Sequence, residues 1–274
     1  MALLKTLIVD INRLNNGDSI EEFILNTSFS VVKGIANFSG KNTLSAFVIT
    51  DNRSAANHAN YLGLGIAVYT NDLNNAGDFP EALYCIDNLK EMSDKNIERM
   101  FLRANDLPWD ILESERCLVR EITVDDVDRM YAIYSDADVR EYIEDLYSER
   151  EEEIQYTKDY IANQYRFYEY GLWVVIEKST NTIIGRAGIF DRPDQDLQEI
   201  GFVFAKEYWG RGFATEVLTK IMEYAKEELD IESLYAHVYR ENIRSKKLLE
   251  NLGFSYVCEA NVDDKIFDRY KIII

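Results

Sequence analysis

Proline, glycine and long apolar runs are scarce in this sequence, and each scarcity excludes a class of protein. The 274 residues include 3 prolines and 13 glycines, too few for a collagen-like or a disordered chain. The apolar runs are short, as at Leu172–Ile176, and none approaches the length that crosses a bilayer. No basic segment leads into an apolar core near the start, so we expect no export signal.

Cysteine is equally scarce. The 3 cysteines, Cys85, Cys117 and Cys258, are odd in number and far apart in the chain. Such a set predicts neither a disulfide framework nor a zinc site. We therefore expect no bound metal and a cytoplasmic location, where thiols stay reduced.

Basic residues are outnumbered by acidic ones. The chain has 49 acidic and 30 basic side chains, which gives a formal net charge of -19. A surface of this charge repels nucleic acids and anionic membranes and attracts cations, so neither of the first two is an expected partner. The charge could equally serve solubility alone, and the sequence leaves that alternative open.

The sequence pattern changes near Leu107–Glu115, where Pro108 follows a helix-like stretch. We therefore divide the chain into a small α/β domain, residues 1–112, and a second domain, residues 113–274. In the first domain short apolar runs alternate with helical segments, which predicts a parallel sheet. The predicted strands are Leu7–Val9, Ala46–Ile49, Ile66–Tyr69 and Leu83–Ile86, and the predicted helices are Ser54–Leu62 and Ser93–Ala104.

One segment of the first domain, Phe47–Tyr69, resembles the strand–helix–strand stretch of a haloacid-dehalogenase-like domain. The first motif of that family needs two aspartates two positions apart, and here Asp10 is followed by Asn12. No acidic cluster near the end of this domain could hold magnesium. We therefore expect a structural or regulatory role for the first domain instead of phosphatase activity.

The second domain has a different order of elements. Three successive strands predict an antiparallel meander, and a long helix with apolar residues at helical spacing follows it. The predicted strands are Cys117–Glu121, Leu172–Glu177, Thr182–Ile189, Leu197–Ala205, Leu234–Tyr239, Phe254–Glu259 and Ile266–Ile273. The predicted helices are Val124–Tyr134, Ser148–Tyr168, Phe213–Leu229 and Ile243–Asn251, and a polar loop is predicted at Arg192–Asp196.

The stretch Glu199–Ala214 carries the clearest chemical signal, because a strand, a short loop with Gly210 and Gly212, and a helix follow one another. Glycines let the backbone approach a ligand closely, and the first turn of a helix offers unpaired N–H donors with partial positive charge. Together they predict a pyrophosphate cradle. No Gly-Lys-Ser/Thr follows, as a Walker loop requires, and no dinucleotide fingerprint surrounds the loop.

From about Arg116 to its end, the chain resembles the GNAT superfamily of acyl-CoA-dependent N-acyltransferases. The motif Gln/Arg-x-x-Gly-x-Gly/Ala corresponds to Trp209–Ala214, with tryptophan in the first place, in a form usual among acetyltransferases of ribosomal-protein amino termini. A second signature matches as Asn242–Ser245 followed by Leu252–Phe254. The resemblance implies an α+β fold with a mixed, splayed sheet, preceded by the small α/β domain.

The resemblance also implies acetyl-CoA as cosubstrate and a set of residues that bind it. The implied cofactor-binding residues are Arg211, Gly212, Ala214 and Thr215 for the pyrophosphate, Phe202, Val203 and Phe204 for the pantetheine amides, and Asn242 and Ser245 for the pantetheine arm or thiol. Arg244 is a further candidate for a phosphate. For Asn242, a plain helix cap remains the alternative.

Glu199 occupies the place where many members of this family have a catalytic base. A solvated carboxylate at a strand end is the alternative for this residue. Leu249 stands where many relatives have a tyrosine as general acid, so that acid is absent. His237 lies in a strand, and a structural role is expected for it.

The sequence thus predicts an N-acetyltransferase that acts on a primary amine of a protein N-terminus or of a small cationic molecule. A catalytically idle acyl-CoA-binding sensor or interaction protein is the alternative. The identity of the acceptor and a homodimeric assembly are left open.

Overall fold

The structure, a computed structural model, describes residues 4–192, 196–262 and 265–274. The chain folds into two compact units, Met1–Trp109 and Asp110–Ile274. This division falls slightly before the boundary that we placed after residue 112, because the segment Asp110–Glu113 forms a strand in the sheet of the second unit.

The first unit is a parallel sheet with helices on both faces. Its described strands are β1 (Thr6–Asp10), β2 (Ser30–Lys33), β3 (Ala46–Thr50), β4 (Gly65–Tyr69) and β5 (Tyr84–Ile86), and its helices are α1 (Ile20–Asn26), α2 (Arg53–Tyr61) and α3 (Asp94–Ala104). The strand order is β2-β1-β3-β4-β5, and every pairing is parallel, which confirms the predicted parallel sheet. All five residues of β3 are buried because two apolar clusters cover its two faces.

Two aspartates at the ends of the first unit's central strands, Asp10 in β1 and Asp51 after β3, stabilise its loops. The Asp51 carboxylate accepts hydrogen bonds from the backbone N–H of Asn12 at 2.8 Å and of Arg13 at 2.9 Å. The Asp10 carboxylate accepts one from the N–H of Ile35 at 2.8 Å. Within the described ranges, no group of three or more histidine, cysteine or acidic side chains could hold a metal ion. The dehalogenase-like resemblance of this unit stays a prediction.

The second unit contains the mixed sheet that the resemblance implies. Its described strands are β6 (Asp110–Glu113), β7 (Cys117–Arg120), β8 (Leu172–Glu177), β9 (Thr182–Arg192), β10 (Leu197–Phe204), β11 (Ser233–Val238), β12 (Ser255–Val262) and β13 (Lys265–Ile273). Its helices are α4 (Val127–Tyr134), α5 (Ala137–Arg140), α6 (Arg150–Tyr160), α7 (Arg166–Tyr168), α8 (Phe213–Glu228) and α9 (Ile243–Asn251). The order is β12-β13-β11-β10-β9-β8-β7-β6, antiparallel except for the parallel neighbours β10 and β11, and this mixed α/β sheet confirms the predicted fold class. Residues 193–195 of the predicted polar loop lie outside the described residues.

The predicted helix Ser148–Tyr168 differs in detail from the observed one. It begins at Arg150 with Glu149 as its N-cap, and a π-helical turn, Ile161–Tyr165, separates α6 from α7. The wide turn brings the rings of Tyr160 and Tyr165 to 5.2 Å. Both hydroxyls then hydrogen-bond the backbone of Leu172, the first residue of β8. This anchoring accounts for the interruption, which the sequence pattern does not reveal.

Helices cover both faces of the second sheet. Val174, Arg186 and Val203 lie opposite one another on neighbouring strands, and α4 packs against Val203. Trp173 precedes Val174 and therefore points to the other face, where Tyr224 of α8 contacts its ring. In the part of the chain that the structure describes, every helix is too short or too polar to span a membrane.

Candidate cofactor and active site

The parallel neighbours β10 and β11 separate along their length. In the described residues their ladder has a single register pair, Glu199 with Tyr235, near the start of both strands. β10 continues to Phe204 while remaining paired with β9 on its other side. The edge of β10 that faces β11 therefore has no strand partner over its last residues. The carbonyl of Phe204 accepts a hydrogen bond from Trp209, and the backbone groups without a partner on this edge are available to a ligand.

The start of α8 lies beyond the open end of β10. Its N-cap is Gly212, in the left-handed region at φ 81°, and no side chain in the described part of the chain caps the helix. Gly210 also has a positive φ, 68°, a conformation that residues with a Cβ rarely adopt. The first amides of α8 are therefore free of intrahelical partners, and together with the helix dipole they favour an anion.

The loop before α8 is held in place by Arg116. Its guanidinium lies 4.0 Å from the ring centre of Phe213 and donates to the carbonyl of Arg211 at 3.1 Å. Its Nε donates to the Glu216 carboxylate at 2.6 Å, and its backbone N–H donates to the other oxygen at 2.8 Å. Burial alone would raise the pKa of Glu216, but these bonds outweigh it and hold the pKa below its ordinary value. The charges of Arg116 and Glu216 therefore compensate each other.

A cavity of about 400 Å³ lies between the open strand edge and the start of α8. Eight of the cofactor-binding residues implied by the sequence line this cavity: Phe202, Val203, Phe204, Gly212, Ala214, Thr215, Asn242 and Ser245. Arg211 is not among the lining residues, although it lies between Gly210 and Gly212, which are. The fold thus brings the glycine motif and the Asn242–Ser245 signature to the walls of one cavity.

Asn242 forms the helix cap that was the alternative for this residue, and its contact with pantetheine stays a prediction. Its side-chain oxygen accepts a hydrogen bond from the N–H of Ser245 at 3.1 Å, so it caps α9. It also lines the cavity, as does the neighbouring Arg244. The cap fixes the side chain at the cavity wall.

Several lining residues were missed by sequence reasoning. Lys247, Leu248 and Asn251 lie on the same face of α9 as the predicted Arg244, and their helical spacing is a signal that could have identified them. Val139, Tyr142 and Ile143 come from α5 and the segment after it. No motif marks these three residues, because only tertiary packing brings them to the cavity.

The gap that opens between β10 and β11 is called the splay, and its closed end is where the two strands are still paired. Glu199 lies at this closed end and does not line the cavity. Its side chain is 6% exposed, and it accepts hydrogen bonds from Arg192 Nε at 2.8 Å and from His237 Nδ1 at 2.9 Å. Arg269 Nε donates to His237 Nε2 at 2.9 Å. Because arginine can only donate, Nε2 is the acceptor and the proton of the neutral imidazole is on Nδ1, directed at Glu199. His237 thus connects Glu199 to Arg269 within the sheet.

Leu249 is fully buried in α9, so the position of the absent tyrosine belongs to the core. Among the described residues that line the cavity, the phenols are Tyr142 and Tyr208. The Tyr208 hydroxyl is directed at Glu177, at 3.3 Å. The ring of Tyr142 contacts that of Tyr239, which follows β11, with 6.1 Å between ring centres.

A family model and several known proteins match the second unit. The family model described as acetyltransferase (GNAT) domain matches residues 116–255, which is half of the chain. The chain belongs to the GNAT acetyltransferase family. The uncharacterized N-acetyltransferases YoaA of Bacillus subtilis and p20 of Bacillus licheniformis are similar to it. YoaA is 30% identical over 53% of this chain and 82% of its own length, and p20 is 31% identical over 52% and 81%.

Solved structures share the fold of the second unit. An acetyltransferase from Salmonella typhimurium that modifies the N-terminal serine of a 50S ribosomal subunit protein has a TM-score of 0.53 and 16% identity. The match covers 61% of this chain and 99% of that one. The ribosomal-protein acetyltransferase RimL in complex with coenzyme A has a TM-score of 0.52 and 14% identity, over 61% and 98%. The family model does not extend to the residues before Arg116, which include the whole first unit.

Proposed function

We propose that this chain is an N-acetyltransferase that moves the acetyl group of acetyl-CoA to a primary amine. The observation that carries the proposal is the cavity of the splay, because it joins an unpaired strand edge to an uncapped helix start. A strand edge suits a ligand arm with two amide groups, as pantetheine has, and a helix start suits a pyrophosphate.

The residues around the cavity fit acetyl-CoA. A Cβ atom built on Gly210 would meet nothing within 4 Å, and one on Gly212 would lie 3.5 Å from Arg116, so the cradle is open to a ligand. In the proposed complex the amides of Gly212, Ala214 and Thr215 hold the pyrophosphate, with the backbone of Arg211 beside them. The segment 202–204 pairs with the pantetheine arm, and Asn242 and Ser245 bind it from the facing helix.

The chemistry needs orientation and the removal of one proton. The amine nitrogen forms a bond to the thioester carbonyl carbon, the carbon–sulfur bond breaks, and the amine loses a proton. We propose Glu199 as the proton acceptor, acting through water, because it lies at the closed end of the same splay. Its hydrogen bonds from Arg192 and His237 fix the carboxylate in one orientation. No metal takes part in the proposed reaction.

The acceptor that we propose is the amine of a protein N-terminus or of a small cationic molecule. The net charge of -19 favours a cation as partner. The Salmonella protein of the same fold modifies a protein N-terminus, which makes peptides the first acceptors to test.

Two observations favour the rival, an acyl-CoA-binding sensor without activity. Leu249 is buried where related enzymes have a tyrosine, and the Glu199 carboxylate already accepts hydrogen bonds from Arg192 and from the ring and the backbone N–H of His237. A sensor would have the same cofactor site as the enzyme but would form no acetylated product.

An amine panel separates the two functions. The full chain is incubated with acetyl-CoA and with peptides that carry a free N-terminal serine or alanine, linear polyamines, or neutral amines. Thiol release and the mass of the amine are measured, and the same peptides with a blocked N-terminus are the control. Acetylated product from a free amine supports the enzyme. Acetyl-CoA binding without product from any amine supports the sensor.

A further inference from the structure

Arg244 and Trp209 form the closest cation–aromatic contact of the site. The guanidinium carbon lies 3.6 Å from the ring centre of Trp209, so the two planar groups are in contact. Trp209 belongs to the loop before α8, and Arg244 to the first turn of α9. The contact therefore connects the two motifs across the cavity that both residues line.

The ring of Trp209 is itself fixed. Its indole Nε1 donates a hydrogen bond to the carbonyl of Phe204 at 2.8 Å. Phe204 is the last residue of β10, the strand that forms the open edge of the splay. The guanidinium of Arg244 therefore packs on an aromatic ring whose position is fixed. A guanidinium that is already packed on a ring loses less conformational freedom when it binds an anion than a freely moving one does.

The charge of Arg244 is available to a ligand. No carboxylate forms an ion pair with it within residues 4–192, 196–262 and 265–274. The acidic residue that lines the same cavity, Asp138, forms its ion pair with Lys206, and the more distant charge of Arg244 adds a smaller effect to the lowering of the Asp138 pKa by Lys206.

The other arginines near the cradle differ from Arg244. Arg116 is compensated by Glu216, and Arg211 lies over the ring of Tyr208 without lining the cavity. Among these arginines, Arg244 is the one that lines the cavity and has no hydrogen-bonded carboxylate partner in the described part of the chain.

We propose that Arg244, positioned by Trp209, binds the pyrophosphate of the cofactor and adds a cation to the cradle, whose motif has Trp209 in the place of glutamine or arginine. The inference rests on the proposed function and adds a ligand contact from α9 to the backbone cradle of α8. A guanidinium matches the geometry of phosphate oxygens through two parallel N–H donors. Trp209 is a positioning residue, since it acts through Arg244.

Calorimetric titration of the full chain with a series of cofactor fragments tests the contact. The variant Arg244→Gln is compared with wild type and with Arg166→Gln, which makes the same change at an exposed residue of α7. We expect Arg244→Gln to weaken CoA and 3′-dephospho-CoA by the same factor, about 10- to 100-fold, as for a charge-assisted hydrogen bond. S-acetyl-pantetheine, which has no phosphate, should be used as donor with unchanged kcat/KM. Arg166→Gln should match wild type throughout.

The other possible results contradict either the role of Arg244 or the proposed function. A loss with CoA but none with 3′-dephospho-CoA would place Arg244 at the 3′-phosphate and overturn the pyrophosphate contact. Equal affinities of wild type and Arg244→Gln would overturn the inference while leaving the proposed function intact. Absence of CoA binding by wild type would instead reject the proposed function.

Trp209 is tested by coupling to Arg244. Trp209→Leu should weaken CoA by about 3- to 10-fold, and adding it to Arg244→Gln should cause no further loss, because neighbours that act together are not additive. Trp209→Phe keeps an aromatic face and controls for disruption of the loop, and it should lose less than Trp209→Leu. Additive losses in the double variant would show that Trp209 does not act through Arg244.

Discussion

The surroundings of the Glu199 carboxylate bear directly on the proposed proton transfer. It is buried, and its carboxylate accepts hydrogen bonds from one guanidinium and one neutral imidazole. A carboxylate that is buried and paired in this way is held in one orientation, which suits a positioned base that acts through water. The same contacts would suit a purely structural carboxylate, so the distinction needs kinetics.

The variant Glu199→Gln makes that distinction. We expect turnover to fall by a factor of about 100 to 10,000, as for loss of a general base, while acetyl-CoA affinity changes little. The deficit should shrink as pH rises, because more of the amine is then already neutral. A pH–rate profile measures this effect. Glu227→Gln, the same change on the exposed side of α8, should match wild type, and thermal denaturation checks the fold. Equal rates of Glu199→Gln and wild type at every pH would remove Glu199 from the mechanism.

The sequence predicts the residues of this site unevenly. Gly212 and Asn242 belong to local patterns whose physical reasons, a positive φ and a helix cap, operate within a few residues. Tyr142 reaches the cavity only because the segment after α5 packs near β10 and Tyr239. The contacts of Glu199 were missed because Arg192, His237 and Arg269 lie on three different strands.

At the scale of elements, α4 and β7 are joined by a pair of charged side chains. Arg120 donates to both carboxylate oxygens of Asp126, at 2.7 and 2.8 Å, and the two side chains are 19% and 7% exposed. Asp126 also accepts from the N–H and the hydroxyl of Thr123 at the start of the helix. Burial by itself would raise the pKa of Asp126, but the bonds from Arg120 and Thr123 outweigh it and lower the pKa.

Removing the charge of Asp126 should therefore destabilise the second unit. We expect Asp126→Asn to lower the free energy of unfolding at pH 7 by about 3 kcal/mol, because the half-buried Arg120 loses the carboxylate to which it donates two hydrogen bonds. A folded-state pKa below the unfolded value means that this stabilisation is present above about pH 4 and lost as pH falls through the lowered pKa. Urea denaturation at pH 7 and across the acidic range measures both effects.

The matched control is Asp128→Asn, also in α4, which breaks the exposed pair of Asp128 with Arg150, the first residue of α6. Its effect should be far smaller, because solvent screens an exposed pair. Equal losses in the two variants, or a difference that persists unchanged at acidic pH, would contradict the role assigned to the Arg120–Asp126 pair.

Local patterns predicted most of the elements, and the exceptions have physical reasons. The helix α8 and the strand β3 have strong periodicity or continuous burial. The strands β2 and β6, four residues each at the edges of their sheets, are too short and too exposed to give a signal. The π turn after α6 depends on tyrosine contacts with β8 that no local pattern contains.

At the scale of the whole molecule, the chain has two units with separate sheets and separate cores. The residues that line the proposed cofactor cavity all belong to the second unit. Asp10 and Asp51 hold loops within the first unit, which supports the proposal that this unit is structural or regulatory. The weak resemblance of the first unit supports only that general prediction of its role, whereas the two motifs of the second unit identify its family.

The division between the units can be tested with a fragment. We expect residues 110–274 to fold alone and to bind acetyl-CoA with the affinity of the full chain, because every strand of the mixed sheet is retained. A fragment that begins at Arg116 keeps the motifs but loses the edge strand β6, and it should be less stable. Calorimetry and thermal denaturation of both fragments measure this. An insoluble 110–274 fragment, or one that does not bind acetyl-CoA, would mean that the first unit completes the fold.

The central claim, that acetyl-CoA binds where the splay meets the start of α8, depends on the glycine cradle. A side chain at Gly212 would strain a backbone at φ 81° and place bulk and negative charge where a pyrophosphate approaches. Gly40→Glu is the matched control, because Gly40 lies in the first unit and also has a positive φ, 71°, and a Cβ atom there would meet nothing within 4 Å.

Calorimetric titration with acetyl-CoA is the most direct measurement. We expect wild type and Gly40→Glu to bind acetyl-CoA with equal affinity. Gly212→Glu should remain folded and show no measurable binding. Unchanged affinity in Gly212→Glu would contradict the account, because the cofactor would then bind elsewhere.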